Sequence, residues 1–247
     1  MNKRLIAVSA IVTLLITCLV VVRADESTSE VLLLSASSVA VPRMLYLPCV
    51  NRSSRAFGVH ISWNHSAYVD AVGYLHIVGE VENNTRDYLR FVKISANVFD
   101  NSERLLDTAF TYAYLDNLPA GDRTCFHILL EEPAGWAYYR FEPPSYWTDG
   151  RPLPNLVVSN DSGSYDSTYG WYEILGQVRN DHGRRVEYVS PVGTLYDTPG
   201  TVLGCDFTYV NSTHLDPGQT SSFKMNLSGR DYAGVSSYRV QVDGNPK

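Results

Sequence analysis

The residues of this chain whose types suit chemistry are few and dispersed. Six histidines stand at positions 60, 65, 76, 127, 182 and 214, each in a different local context. A hydrolytic centre needs one histidine within reach of both a nucleophile and an orienting acid. A structural zinc site needs Cys and His at short, fixed spacings. No C-x-x-C, H-E-x-x-H, G-x-S-x-G, phosphate-binding loop or dinucleotide glycine pattern occurs. The stretch NDSGSYDS (Asn160 to Ser167) sets Asp161 and Asp166 around a glycine, but lacks the spacing and closing Glu of a calcium loop. It reads as a polar connection between strands. The expectation is a protein that is not an enzyme, with no catalytic residue, no metal and no cofactor.

Aromatic side chains offer a different chemistry, that of stacking. The segment GWAYYRFEPPSYWTDGRPLP (residues 135–154) concentrates Trp136, Tyr138, Tyr146 and Trp147 among prolines. These four are the candidate ligand-binding residues, as a platform for sugar rings or another small ligand. The competing reading is that they pack the junction between two domains. YYRFE is expected to close the first domain as a strand, leaving residues 144–153 as a stiff Pro-rich linker.

Cysteine and asparagine chemistry depends on the compartment, and the N-terminus speaks to that. MNKR is followed by an apolar run, Leu5 to Val22, that ends in small residues at Val22 and Ala24. This is the pattern of an export signal over residues 1–24, and its length also suits an uncleaved anchor. Either way the rest of the chain is expected outside the cell or on its surface, touching the membrane only through this segment. In an oxidising compartment Cys49 and Cys125 are a candidate disulfide, with Cys205 left over. All three remaining as thiols is the alternative. N-x-S/T sequons at Asn51, Asn64, Asn160, Asn211 and Asn226 are candidate glycosylation sites, or turn residues that happen to precede Ser or Thr. A sixth, at Asn83, sits at a strand end and reads as a turn residue. The net charge of −6 and the lack of a basic run exclude a nucleic-acid partner. A protein or glycan at the cell surface is the partner class that remains.

The elements that position these residues are strands. Seventeen Tyr and the absence of a long 3.6-residue apolar period after the leader point to an all-β protein. The sequence also repeats itself. Shifted by 97 positions, the stretch from Phe57 to Leu130 aligns without a gap on Pro154 to Leu227. Gly73/Gly170, Ile77/Ile174, Gly79/Gly176, Val81/Val178, Asn83/Asn180, Asp100/Asp197, Phe110/Phe207, Tyr112/Tyr209, Gly121/Gly218 and Phe126/Phe223 are identical pairs. LHIVGEVEN and YEILGQVRN keep alternate apolar residues while the intervening polar ones change, as a strand with one solvent face does. The Phe-Thr-Tyr strings of LLDTAFTYA and VLGCDFTYV are expected to fill equivalent core slots. Cys205 is then expected buried and unpaired on the core face of its strand. Pro-Gly turns at Pro199-Gly200 and Pro217-Gly218 punctuate the second copy. The expected organisation is a tether or leading strand over residues 25–55, a β-sandwich over 56–143, the linker over 144–153, and a second sandwich over 154–247.

These repeats resemble the FxLYD domain, a small module of secreted and surface proteins. The resemblance rests on GQVRND…VEYVSPVGTLYDTPGTVLGCDFTYVNSTHLDPGQTSSFKM and on its counterpart GEVENN…LRFVKISANVFDNSERLLDTAFTYAYLDNLPAGDRTCFHI. The chain departs from the pattern where the Phe slot holds Ala96 and Gly193, and where the first copy reads Val98-Phe99-Asp100. The resemblance implies tandem immunoglobulin-like sandwiches and carries no catalytic residues with it.

Overall fold

The structure, a computed structural model, describes residues 57–247. The apolar leader, residues 25–55, Cys49 and the Asn51 sequon lie outside the described residues. Those described form sixteen strands, all paired antiparallel, and among them no helix is long and apolar enough to cross a membrane.

Four sheets result. In the first, β3 (Tyr74–Asn83) pairs with β1 (Val59–Ile61), β2 (Ser66–Val69) and β7 (Arg123–Glu131). In the second, β4 (Leu89–Asp100) pairs with β5 (Leu105–Tyr112), β6 (Asn117–Leu118), β8 (Trp136–Phe141) and β9 (Ser145–Trp147). In the third, β11 (Trp171–Asn180) lies between β10 (Leu156–Asp166) and β15 (Thr220–Leu227). In the fourth, β12 (Val186–Tyr196) pairs with β13 (Val202–Phe207), β14 (His214–Leu215) and β16 (Ser237–Pro246). The first two sheets enclose one core, with Leu75, Ile77 and Val81 of β3 and Phe126 and Ile128 of β7 against Val92, Ile94, Ala96 and Val98 of β4. The last two enclose another, with Ile174, Val178, Phe223 and Met225 against Val186, Val189 and Leu195.

The duplicated residues have matching jobs. Gly79 lies opposite Phe126, and Gly176 opposite Phe223. A Cβ on either glycine would come within 2.8 or 2.6 Å of the facing ring, so the missing side chain is what admits the phenyl group. Asn83 and Asn180 act as turn staples: each Nδ2 donates to two backbone carbonyls, Asp87 and Leu118 in the first copy, Arg184 and Leu215 in the second. A Cβ at Gly193 would meet Met225 Sδ at 2.6 Å and Ile174 Cδ1 at 3.0 Å, so the missing side chain there makes room for the thioether.

Several expectations are corrected. The Phe-Thr-Tyr rings do not fill cores: Phe110 and Tyr112 are 56% and 48% exposed, and Phe207 and Tyr209 are 43% and 56% exposed. The reason is register. Ser95 and Lys93, on the outward side of β4, lie opposite Phe110 and Tyr112, and it is Ala109 that packs on the core. One residue of phase reverses every side chain of a strand. Cys205 is buried and unbonded as expected, yet not by its own core: it pairs with Thr194 on the outer face of the fourth sheet. The polar face of β3 is likewise not solvated, since His76, Val78 and Glu80 are all buried. Both facts have one cause, which is that β13 and its neighbours lie against the outer face of the first sheet. Within residues 144–153, expected as a stiff Pro-rich linker, Ser145–Trp147 is a short strand paired with β4. NDSGSYDS is not a loop but lies almost wholly within β10.

Candidate functional site

Two surfaces stand out, one exposed and duplicated, the other buried between the copies. The exposed one begins at a backbone irregularity. Phe91 in β4 and Tyr188 in β12 occupy equivalent positions and both adopt left-handed φ, 49° and 52°. A bulky residue at positive φ is an outlier that costs on the order of 1–2 kcal/mol. Each sits where pairing slips: β4 shifts register against β9 between Arg90 and Lys93, and β12 against β16 between Glu187 and Ser190. A bulge of this kind re-aims a side chain, and here it turns both rings to solvent, Phe91 at 44% and Tyr188 at 63% exposure.

Around Phe91 the outward rings form a continuous row. Trp147 packs edge-on against Phe91 at 5.3 Å, Phe91 against Tyr112 at 6.3 Å, and Tyr112 against Phe110 at 6.2 Å. Arg90 lies over Phe91 and Lys93 over Phe110, at 4.8 and 3.9 Å from the ring centres. The second copy supplies Tyr188, Tyr209 and Phe207, with Phe207 and Tyr209 5.8 Å apart. Interplanar angles of 76°, 76° and 87° in the first row mean that neighbouring rings stand upright to one another instead of forming one flat floor.

The buried surface is the seam between the copies. Glu80, fully buried, accepts hydrogen bonds from Tyr196 Oη at 2.7 Å and Asn64 Nδ2 at 2.8 Å, and lies 3.3 Å from Arg123 Nε and 3.6 Å from Arg239 Nη1. Arg239 also reaches Asp122 at 2.8 Å. A buried carboxylate is tolerated only when it is paired and hydrogen-bonded in this way. Burial and the negative charge of Glu80 push the Tyr196 hydroxyl up, so it stays a donor. Beside it, His76 touches His127 at 2.8 Å and Asp70 at 3.2 Å, and stacks on Tyr68, over which Arg230 of the second copy lies. Burial and then the neighbouring His76 push His127 down to about 4. The backbone N–H of Tyr74, and after it His76 and the Val72 N–H, hold the Asp70 carboxyl below its usual range despite its partial desolvation. An open cleft of about 440 Å³ lies at the seam's edge, lined by Ser62, Asn64, Glu82, Arg123, Tyr196 and Asp197 among others.

The sequence candidates are distributed unevenly over these surfaces. Trp147 is 61% exposed and joins the first aromatic row. The other three belong to packing: Trp136 bonds Glu132 through its indole N–H at 2.8 Å, Tyr138 stacks on Phe99, and Tyr146 packs on the first core. None of the four lies in the seam clusters, whose aromatic members are Tyr114 and Tyr196. Phe110, Tyr112, Phe207 and Tyr209 are displayed instead of buried because the phase of their strands is the reverse of the one expected from their own alternation. The alternation Val92-Ile94-Ala96-Val98 in the partner strand would have fixed it. Asn160, Asn211 and Asn226 are exposed, whereas Asn64 is buried and spends both amide protons, on Glu80 and on the Gly200 carbonyl. A glycan at Asn64 would have to break the seam. Among the described residues no group of three His, Cys, Asp or Glu is arranged to hold a metal ion.

No family model matches this chain, and no curated protein does. Solved structures give distant likenesses. Red sea bream transglutaminase is 14% identical over 77% of this chain and 29% of its own, with a TM-score of 0.26. The exo-β-D-glucosaminidase CsxA is 12% identical over 73% and 25%, also at 0.26. A calcium-binding mutant of Bacteroides uniformis β-glucuronidase 2 is 13% identical over 72% and 25%, at 0.23. The chain thus spans less than a third of each of these proteins.

Proposed function

We propose that this is a non-enzymatic protein of the cell surface, exported by its N-terminal segment, whose two FxLYD-like, immunoglobulin-like sandwiches present aromatic rows to a protein partner in adhesion, scaffolding or envelope assembly. One observation carries the reading: Phe91 and Tyr188 are held in unfavourable backbone conformations at equivalent positions, and in both copies the result is an exposed ring on the strand that pairs with the one leading into an exposed Phe-Thr-Tyr pair. Strain kept twice for no gain in burial is what a working surface looks like. Exposed aromatics bracketed by cations are the usual anchors of protein interfaces.

A glycan ligand is the second reading, favoured by the exposure of Trp147. The upright ring geometry supports it less, since a sugar stacks on a flat face. Binding of the purified full chain to cell envelopes separates the two. Wild-type protein is expected to bind, and a Phe91→Gly/Phe110→Ala/Tyr112→Ala variant to bind at least tenfold more weakly. Protease treatment of the envelopes should abolish binding, and periodate oxidation of their sugars should leave it. The reverse pattern would establish the glycan reading. Turnover of a substrate, lost on one side-chain change, would overturn the non-enzymatic part. Intact mass together with surface labelling of whole cells tests export.

A further inference from the structure

The seam brings together two cysteines that the sequence places 80 positions apart. Cys125 is on β7 of the first sheet, Cys205 on β13 of the fourth, and both face outward from their own cores. Both are buried because those outer faces cover each other, and they pack in one cluster with Leu115 and Val192. Cys125 Sγ lies 4.0 Å from the carbonyl of Gly193, and the next residue, Thr194, is the register partner of Cys205. The two side chains thus share one buried cluster on the facing sheets, and both stand there as free thiols.

The duplication supplies an internal control. The position equivalent to Cys125 in the second copy is Ser222, and that equivalent to Cys205 in the first is Thr108; both are exposed and face no partner strand of the other copy. Among the described residues, cysteine therefore stands only at the two places that meet in the seam. A small apolar filler would serve burial alone, without needing sulfur on both sides.

We propose that Cys125 and Cys205 form a disulfide that locks the two repeats together. Each thiol loses its proton, an S–S bond forms, and the two electrons pass to a disulfide-class oxidant, which is reduced to two thiols. Burial, and then the neighbouring thiol, push the Cys205 thiol up, so once folded the pair is sheltered from reagents. The bond closes while the seam is assembling. In cells it rests on the export reading, because a reducing compartment would hold the thiols open.

The test separates the two questions. The full chain, purified under reducing conditions, is unfolded and refolded in a buffer of oxidised and reduced glutathione, then alkylated and mapped without reduction. The expected product is a single linked peptide pair containing Cys125 and Cys205, two hydrogens lighter than the reduced chain. Refolded oxidised protein should melt about 10 °C higher than the same sample after reduction, as closing a long loop implies. A Cys125–Cys49 link, or full alkylation of Cys125 and Cys205 after refolding, would overturn the inference. Cys18→Ser/Cys49→Ser, which removes both other thiols of the full chain, should leave the Cys125–Cys205 link intact; its loss in that variant would overturn the inference too. Export is read separately by surface labelling, so a failed link in a surface-exposed chain refutes the disulfide without touching the localisation.

Discussion

At the scale of single residues, the chain separates rings that stabilise from rings that are displayed. Phe126 fills the space left by Gly79 in the first core, and Phe126→Ala should cost about 3–5 kcal/mol in denaturant unfolding. Phe110→Ala removes a ring that is more than half exposed and should change stability by less than about 0.5 kcal/mol. Phe91→Gly goes further. Glycine adopts a φ of 49° freely, so the variant should be as stable as wild type or up to about 1 kcal/mol more stable, while losing the proposed partner. A large loss of stability in Phe91→Gly would mean that the ring serves folding instead. His127 makes a separate prediction. Its folded value, about 4, lies below the unfolded one near 6.5, so the unfolded chain binds the extra proton. Stability from this group is complete above about pH 6.5 and falls as the pH drops toward 4. His127→Gln should flatten that part of the stability–pH curve, leaving the contribution of the lowered Asp70 carboxyl.

At the scale of elements, the strands follow from alternation and the turns from their side chains. The Asn83 and Asn180 staples each satisfy two carbonyls at the same stations. Replacing either by Ala orphans those carbonyls and should cost about 2–3 kcal/mol, equally in the two copies, by denaturant melts. This much was legible in the sequence: the all-β class, β3 and β11 with their inward Ile and Val, the Gly–Phe and Asn pairs, and the turn role of Asn83. The phase of β5 and β13 was not legible, because Leu106, Phe110 and Tyr112 alternate as plausibly inward as outward until the partner strand is chosen. Nor was the fate of Trp136, Tyr138 and Tyr146, whose density in sequence suggested a platform but whose rings lie along the first core and its edge. The outer face of β3 misled for a third reason: its polar letters were read as solvated, whereas Glu80 is neutralised by arginines from both copies.

At the scale of the whole molecule, the seam makes the two repeats one mechanical body. Backbone and side-chain bonds cross it, from Val202 N–H to the Asn64 carbonyl at 2.7 Å and from Gln241 to the Arg123 carbonyl at 3.0 Å. Residues 57–247 should therefore unfold in a single calorimetric transition. Glu80→Ala would leave the buried Tyr196 hydroxyl and Asn64 amide without their acceptor, costing about 1–3 kcal/mol, and should split that transition in two. Two transitions already in the wild-type protein would show that the copies are independent. The seam also holds the exposed rings of the two copies in one body, as the proposed contact with a partner requires. The most direct test of that claim is photo-crosslinking from benzoylphenylalanine placed at Phe110 and, separately, at Phe207, in cells that make the full chain, with exposed Leu175 as the control position. Discrete protein adducts from Phe110 and Phe207 that are absent at Leu175, and that vanish on Phe91→Gly and Tyr188→Gly respectively, are the predicted result; no adduct at either position, or the same adducts at all three, would contradict it.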